Sequence, residues 1–334
     1  MLSYADDIKT SCFVALSKAR LWQPAKDNEL KIVIDTDPGV DDAMAIFYAH
    51  AAPDIELLGL STVFGNVYVD QATRNALFLI DMLGVNIPVA RGCDKPLDNR
   101  SFQSSVLVHG AEGFGNFTDI PEKSTSLTEN GPEFLVRMAK EHKGELVVCA
   151  IAPLTNIARA IQLDPEFSTN VEKIVIMGGA VDCPGNVSEF AEANIFHDPY
   201  AAQIVLGSNA NILLVGLDVT LKTLCLPDDF DRMEREAPVT GGFLKYIGEF
   251  YLDFYWEVAG KEGCGLHDST ALIACTHPHL FSKEDVPVDV ILSGQEAGNT
   301  HRSTKLDRPK ISVCLDVEAQ KVNNMFLDLI CTNP

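Results

Sequence analysis

The sequence predicts a single α/β domain built on a mainly parallel central sheet with helices on both faces. Three observations carry this expectation. Short apolar, β-branched runs alternate with segments of helical spacing along the chain. The 334 residues show no composition break, linker or internal repeat. Hydrophobic content of 46% and charged content of 22% are those of an ordinary globular protein, and a chain of this length buries roughly three quarters of its unfolded surface.

Residues 31–34 form a β-rich run, and 41–51 have helical spacing. Residues 55–63 are strand-like, 71–83 helical, and 87–90 strand-like again. Residues 96–129 are rich in Gly and polar side chains and show no clear period. A helix is predicted over 133–142, a strand over 146–151 and a helix near 154–162. Residues 173–177 form a β-run ending in Gly178-Gly179. A helix over 198–206 and a strand over 212–215 follow. The aromatic segment 243–259 is helical, 286–292 and 311–317 are late strands, and the C-terminal segment is helical. In sheets of this kind, chemistry sits at the carboxyl ends of the strands.

The formal net charge of -21 argues against nucleic acid and anionic membrane surfaces. It suits a neutral small substrate or a site that needs a cation. Nine cysteines, odd in number and widely spaced, with no C-x-x-C, read as free thiols in a reducing compartment. No apolar run approaches the roughly 18 residues of a membrane span. Residues 1–28, with Asp6 and Asp7 and a short apolar stretch from Cys12 to Leu16, fit neither a secretory signal nor a transit peptide. The expectation is a cytoplasmic protein with an N-terminal extension over 1–28, partly helical, and one domain over 29–334.

The first strand runs into Asp35-Thr36-Asp37-Pro38-Gly39-Val40-Asp41-Asp42. Four carboxylates in eight residues repel one another unless a positive charge sits among them. Pro38 and Gly39 turn the chain so that the carboxylates converge. A helix beginning near Asp41 adds favourable potential at its N-terminus. Hard oxygens without Cys or His select calcium or magnesium, and six to eight oxygens suit calcium. An acidic turn with Asp41 as helix cap accounts for one Asp and not four. The Asp-x-Asp loop of haloacid-dehalogenase-like phosphatases is a competing enzyme reading, but it has no need of Pro-Gly-x-Asp-Asp. An EF-hand-like module fails on spacing.

The eight-residue stretch resembles the D-x-D-P-G-x-D-D fingerprint of the calcium-dependent nucleoside hydrolase family. Further segments resemble that family in order: Thr62-Val63-Phe64-Gly65-Asn66, Val108-His109-Gly110, Ala152-Pro153-Leu154-Thr155-Asn156, Met177-Gly178-Gly179-Ala180, Pro184-Gly185-Asn186, Glu192-Ala193-Asn194-Ile195 and Leu266-His267-Asp268. The resemblance implies a Rossmann-like nucleoside hydrolase fold, hydrolysis of the N-glycosidic bond of ribonucleosides, one Ca2+ per subunit, and a homodimer or homotetramer.

The resemblance also assigns roles. Asp37, Asp42 and Asp268 would bind calcium by their side chains and Ile151 by its carbonyl, with Asp35 supporting them. Asp37 would serve as general base toward a metal-bound water. Asp41, Asn66 and Asn194 would hold the 2′ and 3′ hydroxyls, and Asn186 and Glu192 the 5′ hydroxyl. Gly185-Asn186 by itself reads as a turn. His109 and His267 would lie on the base side, His267 as general acid. Tyr251 and Tyr255, four apart on one helical face, would cover the base, the alternative being an aromatic core stripe with Phe250, Phe254 and Trp256. Ala193 stands where family members often carry an aromatic residue, which bears on how the base is stacked.

Overall fold

The computed structural model describes residues 29–121 and 124–332. The extension expected over residues 1–28 lies outside the described residues. The chain alternates strands and helices as the sequence predicts. It runs β1 (Leu30–Thr36), α1 (Val40–Ala51), β2 (Ile55–Thr62), α2 (Val69–Leu83), β3 (Val89–Arg91), α3 (Val106–His109), α4 (Gly131–Glu141), β4 (Leu146–Ala150), α5 (Thr155–Leu163), α6 (Phe167–Asn170) and β5 (Lys173–Met177). It continues through α7 (Ala193–His197), α8 (Pro199–Leu206), β6 (Ile212–Val215), α9 (Leu217–Thr220), β7 (Leu224–Cys225), α10 (Pro227–Glu236) and α11 (Thr240–Phe254). The last elements are β8 (Cys264–Gly265), α12 (His267–Thr276), β9 (Phe281–Val290), β10 (Thr300–Arg302), β11 (Lys310–Val317) and α13 (Ala319–Thr332).

Nine strands form one sheet in the order β10-β9-β11-β6-β5-β4-β1-β2-β3. The pairings from β3 through β11 are parallel, and β9 runs antiparallel to both its neighbours. The core strands are apolar on both faces because both faces are covered. Ile32 and Ile34 of β1 enter one hydrophobic core, and Val33 between them enters the other. The same alternation places Val175 and Met177 of β5 on one side and Ile174 and Ile176 on the other. Helices α1, α11, α12 and α13 cover the first face, and α4, α5 and α8 the second.

The chain moves from β1 to β2 and β3 on one side, and from β4 to β5 and β6 on the other. The carboxyl ends of β1 and β4 therefore flank the point where strand order reverses, where the sheet opens a crevice. The segment carrying Asp35 to Asp42 leaves β1 at that point, and Ile151 follows β4.

Most elements fall where the sequence places them, with small shifts of boundary. The aromatic segment expected as one helix is α11 followed by a wider π-helical turn, Tyr255–Ala259. Among its described residues, the aperiodic stretch 96–129 holds only the short α3 and an isolated bridge at Leu127. The strand expected over 286–292 begins earlier, at Phe281, because its first half pairs with β11 at the sheet's edge with exposed polar side chains. Among the described residues the cysteines are free thiols. No helix among them is long and apolar enough to cross a membrane.

Candidate active site

The acidic turn folds around its own carboxylates. Gly39 begins α1, and the Asp42 side chain accepts the Gly39 amide at 2.9 Å, the Asp37 amide at 3.2 Å and the Thr36 hydroxyl at 2.5 Å. The helix is thus capped by Asp42, not by Asp41. One carboxylate oxygen of Asp41 accepts the Tyr251 hydroxyl at 3.3 Å, while Oδ1 has no hydrogen-bond partner. Asp35 points back into the sheet. Its Oδ1 accepts Asn156 Nδ2 at 2.7 Å and the Ser61 hydroxyl at 2.5 Å, and its Oδ2 is buried without a partner.

Asp41, Asp42 and Asp268 bring carboxylate oxygens within 4.8 Å of one another, all buried. Asp268 arrives from the first turn of α12. Asp37 lies beside this trio. Its Oδ2 accepts the Asn66 amide at 2.6 Å, and Asn66 Nδ2 reaches Asp42 Oδ2 at 3.0 Å. Gly65 permits that approach, since a Cβ there would lie 1.9 Å from Asp37 Oδ2.

Burial pushes all of these carboxyls up: Asp35 to about 7, Asp41 to about 6, and Asp37, Asp42 and Asp268 in the same direction. Like charges add to it, with Asp41, Asp42, Asp37 and Glu192 all acting on Asp268. Buried carboxylates facing each other, with orphaned oxygens and no Lys or Arg bonded to them, have the chemistry of a hard-cation cradle. The residues fit a metal ion.

Asp41, Ile151 and Asp268 border a cavity of about 340 Å³ at the switch point. Asn194 Nδ2 donates to the carbonyls of Ile151 at 3.2 Å and Met177 at 3.1 Å, which fixes the amide on the cavity floor. Glu192 caps α7. Its carboxylate accepts the amides of Asn194, Ile195 and Gly179 at 2.8, 3.1 and 2.9 Å. The Asn186 side chain accepts the Ala193 amide at 3.0 Å. Asn186 does shape a turn, as its Gly-Asn sequence suggests, and also lines the cavity.

His109 Nδ1 accepts the Val40 amide at 3.2 Å, and its ring stacks on Tyr251 with centroids 5.3 Å apart. Burial pulls His109 down to about 4, so the ring is neutral at pH 7 and its proton sits on Nε2. His267 is also pulled down to about 4 by burial. Its Nε2 lies 2.6 Å from the Tyr255 hydroxyl and its Nδ1 2.7 Å from the Thr220 hydroxyl. Tyr251 and Tyr255 meet edge to face at 5.0 Å. Both line the cavity and both also belong to the hydrophobic core, with Phe254 packed against it, whereas Trp256 is 61% exposed and stands outside that stripe.

Of the side chains singled out in the sequence, Asp41, Asn66, His109, Asn186, Glu192, Asn194, Tyr251, Tyr255, His267 and Asp268 line one cavity. Asp42 joins Asp41 and Asp268, Asp37 stands beside them through Asn66, and Asp35 turns into the sheet. The structure adds four that were missed. Ser61 and Asn156 hold Asp35, Thr36 holds Asp42, and Thr220 holds His267. Asn156 ends a segment already noted as a motif. Thr220 carried no signal, because its neighbour His267 is 47 residues away.

Comparison with known proteins agrees with this geometry. Residues 32–324 match the family model described as inosine-uridine preferring nucleoside hydrolase. The chain is 41% identical over 310 residues to a probable uridine nucleosidase 2 of Arabidopsis thaliana, covering 89% of this chain and 96% of that one. It is 37% identical over 284 residues to the inosine-uridine preferring nucleoside hydrolase of Leishmania major, covering 84% and 90%. Among solved structures, a purine-preferring ribonucleoside hydrolase from Gardnerella vaginalis superposes with a TM-score of 0.87 at 34% identity, covering 91% and 98%. A plant nucleoside hydrolase gives 0.88 at 32% identity, covering 90% and 99%. These matches leave no place for the phosphatase reading of the aspartate loop. The chain belongs to the inosine-uridine preferring nucleoside hydrolase family, hydrolases of N-glycosidic bonds.

Proposed function

We propose that this chain hydrolyses the N-glycosidic bond of ribonucleosides, inosine and uridine among them, to ribose and free base with a bound Ca2+. The role is nucleoside salvage or catabolism in the cytoplasm, by a homodimer or homotetramer whose catalytic domain is residues 29–334. The observation that carries the reading is the buried trio Asp41, Asp42 and Asp268, two of which line a cavity that also presents the side chains of Asn66, Asn186, Asn194, Tyr251 and Tyr255. A neutral polyol fits that lining, because carboxylates and carboxamides read hydroxyls.

Asp42 and Asp268, with Asp37 and the Ile151 carbonyl, would hold the cation, and Asp41 faces the same space. When bound, Ca2+ offsets the mutual repulsion of the carboxylates and lowers the pKa of a water. Asp37 takes the proton from the attacking water. Its hydrogen bond to the Asn66 amide sets the carboxylate's direction. Asp41, Asn66 and Asn194 hold the 2′ and 3′ hydroxyls, and Asn186 and Glu192 the 5′ hydroxyl. As the glycosidic bond breaks, positive charge grows on the ribosyl ring, and the surrounding anionic and amide oxygens stabilise it.

His109 lines the cavity beside the Asp41 turn, its Nδ1 held by the Val40 amide. His267 lines the cavity and serves as the general acid toward the base, and the Tyr255 hydroxyl, which lines the cavity too, holds its Nε2 at 2.6 Å. The test is direct: incubate the purified protein with inosine and with uridine and measure free ribose, before and after EDTA dialysis and after return of Ca2+, Mg2+ or Zn2+. Activity that needs no metal, or returns only with zinc, would overturn the calcium reading.

A further inference from the structure

The cavity has two ends of different chemistry. The inner end presents Asp41, Asp268, Glu192 and the amides of Asn66 and Asn194. The outer end presents Leu221, Phe254, Val258 and Ala259, and Val258 is 69% exposed at the mouth. A nucleoside whose sugar occupies the polar end must place its base against the apolar one. One residue of the outer end does not fit an apolar slot for a ring. Among the described residues, Lys261 is the only lysine or arginine lining the cavity.

Its position is fixed by the backbone. The π-helical turn ends at Gly260, in the left-handed conformation with φ 59°, and the Lys261 amide donates back to the Tyr255 carbonyl at 3.3 Å. Among the described residues no carboxylate forms an ion pair with its ammonium. The side chain is half-buried, so a ligand group meeting the ammonium there is shielded from water on one side.

We propose that Lys261 is a specificity-determining residue. Its ammonium donates to an oxo oxygen on the outer edge of the leaving base and stabilises the negative charge that the base acquires. This inference rests on the hydrolase reading above. In the step concerned, the water oxygen bonds to C1′ and gives its proton to Asp37. The C1′–N bond breaks with its electron pair on the base nitrogen. That charge spreads through the conjugated ring onto the oxo oxygen, and Lys261 keeps its protons. A charge-assisted hydrogen bond that strengthens as charge develops accelerates the bond cleavage itself. An exocyclic amino group is a donor and cannot accept from an ammonium. Hydroxypurine and uracil nucleosides are therefore favoured over their amino counterparts of equal size.

The experiment compares inosine with adenosine and uridine with cytidine, with p-nitrophenyl riboside as an activated substrate. Lys261→Met should lower the inosine-to-adenosine and uridine-to-cytidine ratios of kcat/KM by roughly 10- to 100-fold, the range for one preorganised donor to developing charge. p-Nitrophenyl riboside should lose least, because its leaving group needs no such help. Lys261→Arg keeps a cation with donors and should retain most of the oxo-over-amino preference. Unchanged ratios in Lys261→Met, or equal losses on all five substrates, would overturn the proposal. Wild-type protein that releases ribose from none of them would refute the hydrolase reading instead, which keeps the two failures apart.

Discussion

Removing one charge from the buried trio should stabilise the protein once the cation is stripped away. Asp268→Asn is the perturbation. Asp268 shares a 4.8 Å neighbourhood with Asp41 and Asp42. Two like charges at that distance repel by about 3.5 kcal/mol at an effective dielectric of 20. The native state can escape by taking up protons, and that escape has its own limit. Holding a proton at pH 7 on a carboxyl whose ordinary pKa is about 4 costs about 4 kcal/mol. An asparagine avoids both, so in EDTA the variant should gain up to about 4 kcal/mol, roughly 5 °C in Tm for a chain of this size. With Ca2+ present the sign should reverse, because the variant loses a ligand. The same carboxyls set the pH dependence. Asp35, near 7, and Asp41, near 6, are raised by burial, so between about pH 4 and pH 7 the folded state binds more protons than the unfolded. Stability of the cation-free protein is then fullest below the unfolded pKa and falls as pH rises through the folded values. Asp35 alone accounts for about 4 kcal/mol over its shift of about three units. Calorimetry from pH 4.5 to 8, with EDTA and with Ca2+, measures both effects. Cation-free stability that rose with pH, or an Asp268→Asn variant as destabilised in EDTA as in calcium, would refute the reasoning.

Three further outcomes are expected. Asp37→Asn should lower kcat by about 10² to 10⁴ while nucleoside binding survives in part, since the amide cannot accept the water's proton; near-normal kcat would remove Asp37 as the base. Gly65→Ala places a methyl 1.9 Å from Asp37 Oδ2 and should displace that carboxylate, so activity should fall as far as in Asp37→Asn; a fully active variant would show that the carboxylate's position is not critical. His267→Ala should slow inosine hydrolysis much more than uridine hydrolysis, because purines expose N7 beside the glycosidic bond. Tyr255→Phe should reproduce part of that loss, since its hydroxyl is the hydrogen-bond partner of His267 Nε2. Equal losses on both substrates would make His267 a structural residue.

The sheet was legible because its strands carry their own period. Val33 between Ile32 and Ile34 states that both faces of β1 are covered, and the structure puts them in separate cores. The acidic turn was legible for a different reason: four carboxylates in eight residues are more than a helix cap requires, which points to a site for a cation. What the sequence withheld was long-range pairing. Nothing local tells that Asp35 turns inward to meet Ser61 and Asn156, or that Thr220 orients His267. Nor does helical spacing reveal that α11 widens into a π turn at Tyr255, since both windings keep apolar residues on one side for a few positions. Asp42 read as a ligand and proved also to be the helix cap, because one carboxylate can accept Gly39, Asp37 and Thr36 together.

Helix α1 is buried along its whole length except at His50. A helix enclosed on every side has no room to tilt or slide, so Asp41 and Asp42 on its first turn hold a fixed geometry whichever nucleoside arrives. The outer end of the cavity is built from exposed loop and π-turn residues such as Val187 and Val258. Inhibitor design inherits that asymmetry. A rigid ribose mimic matched to the carboxylate floor would act across relatives that share it, and selectivity for this protein would have to be engineered into the substituent that replaces the base.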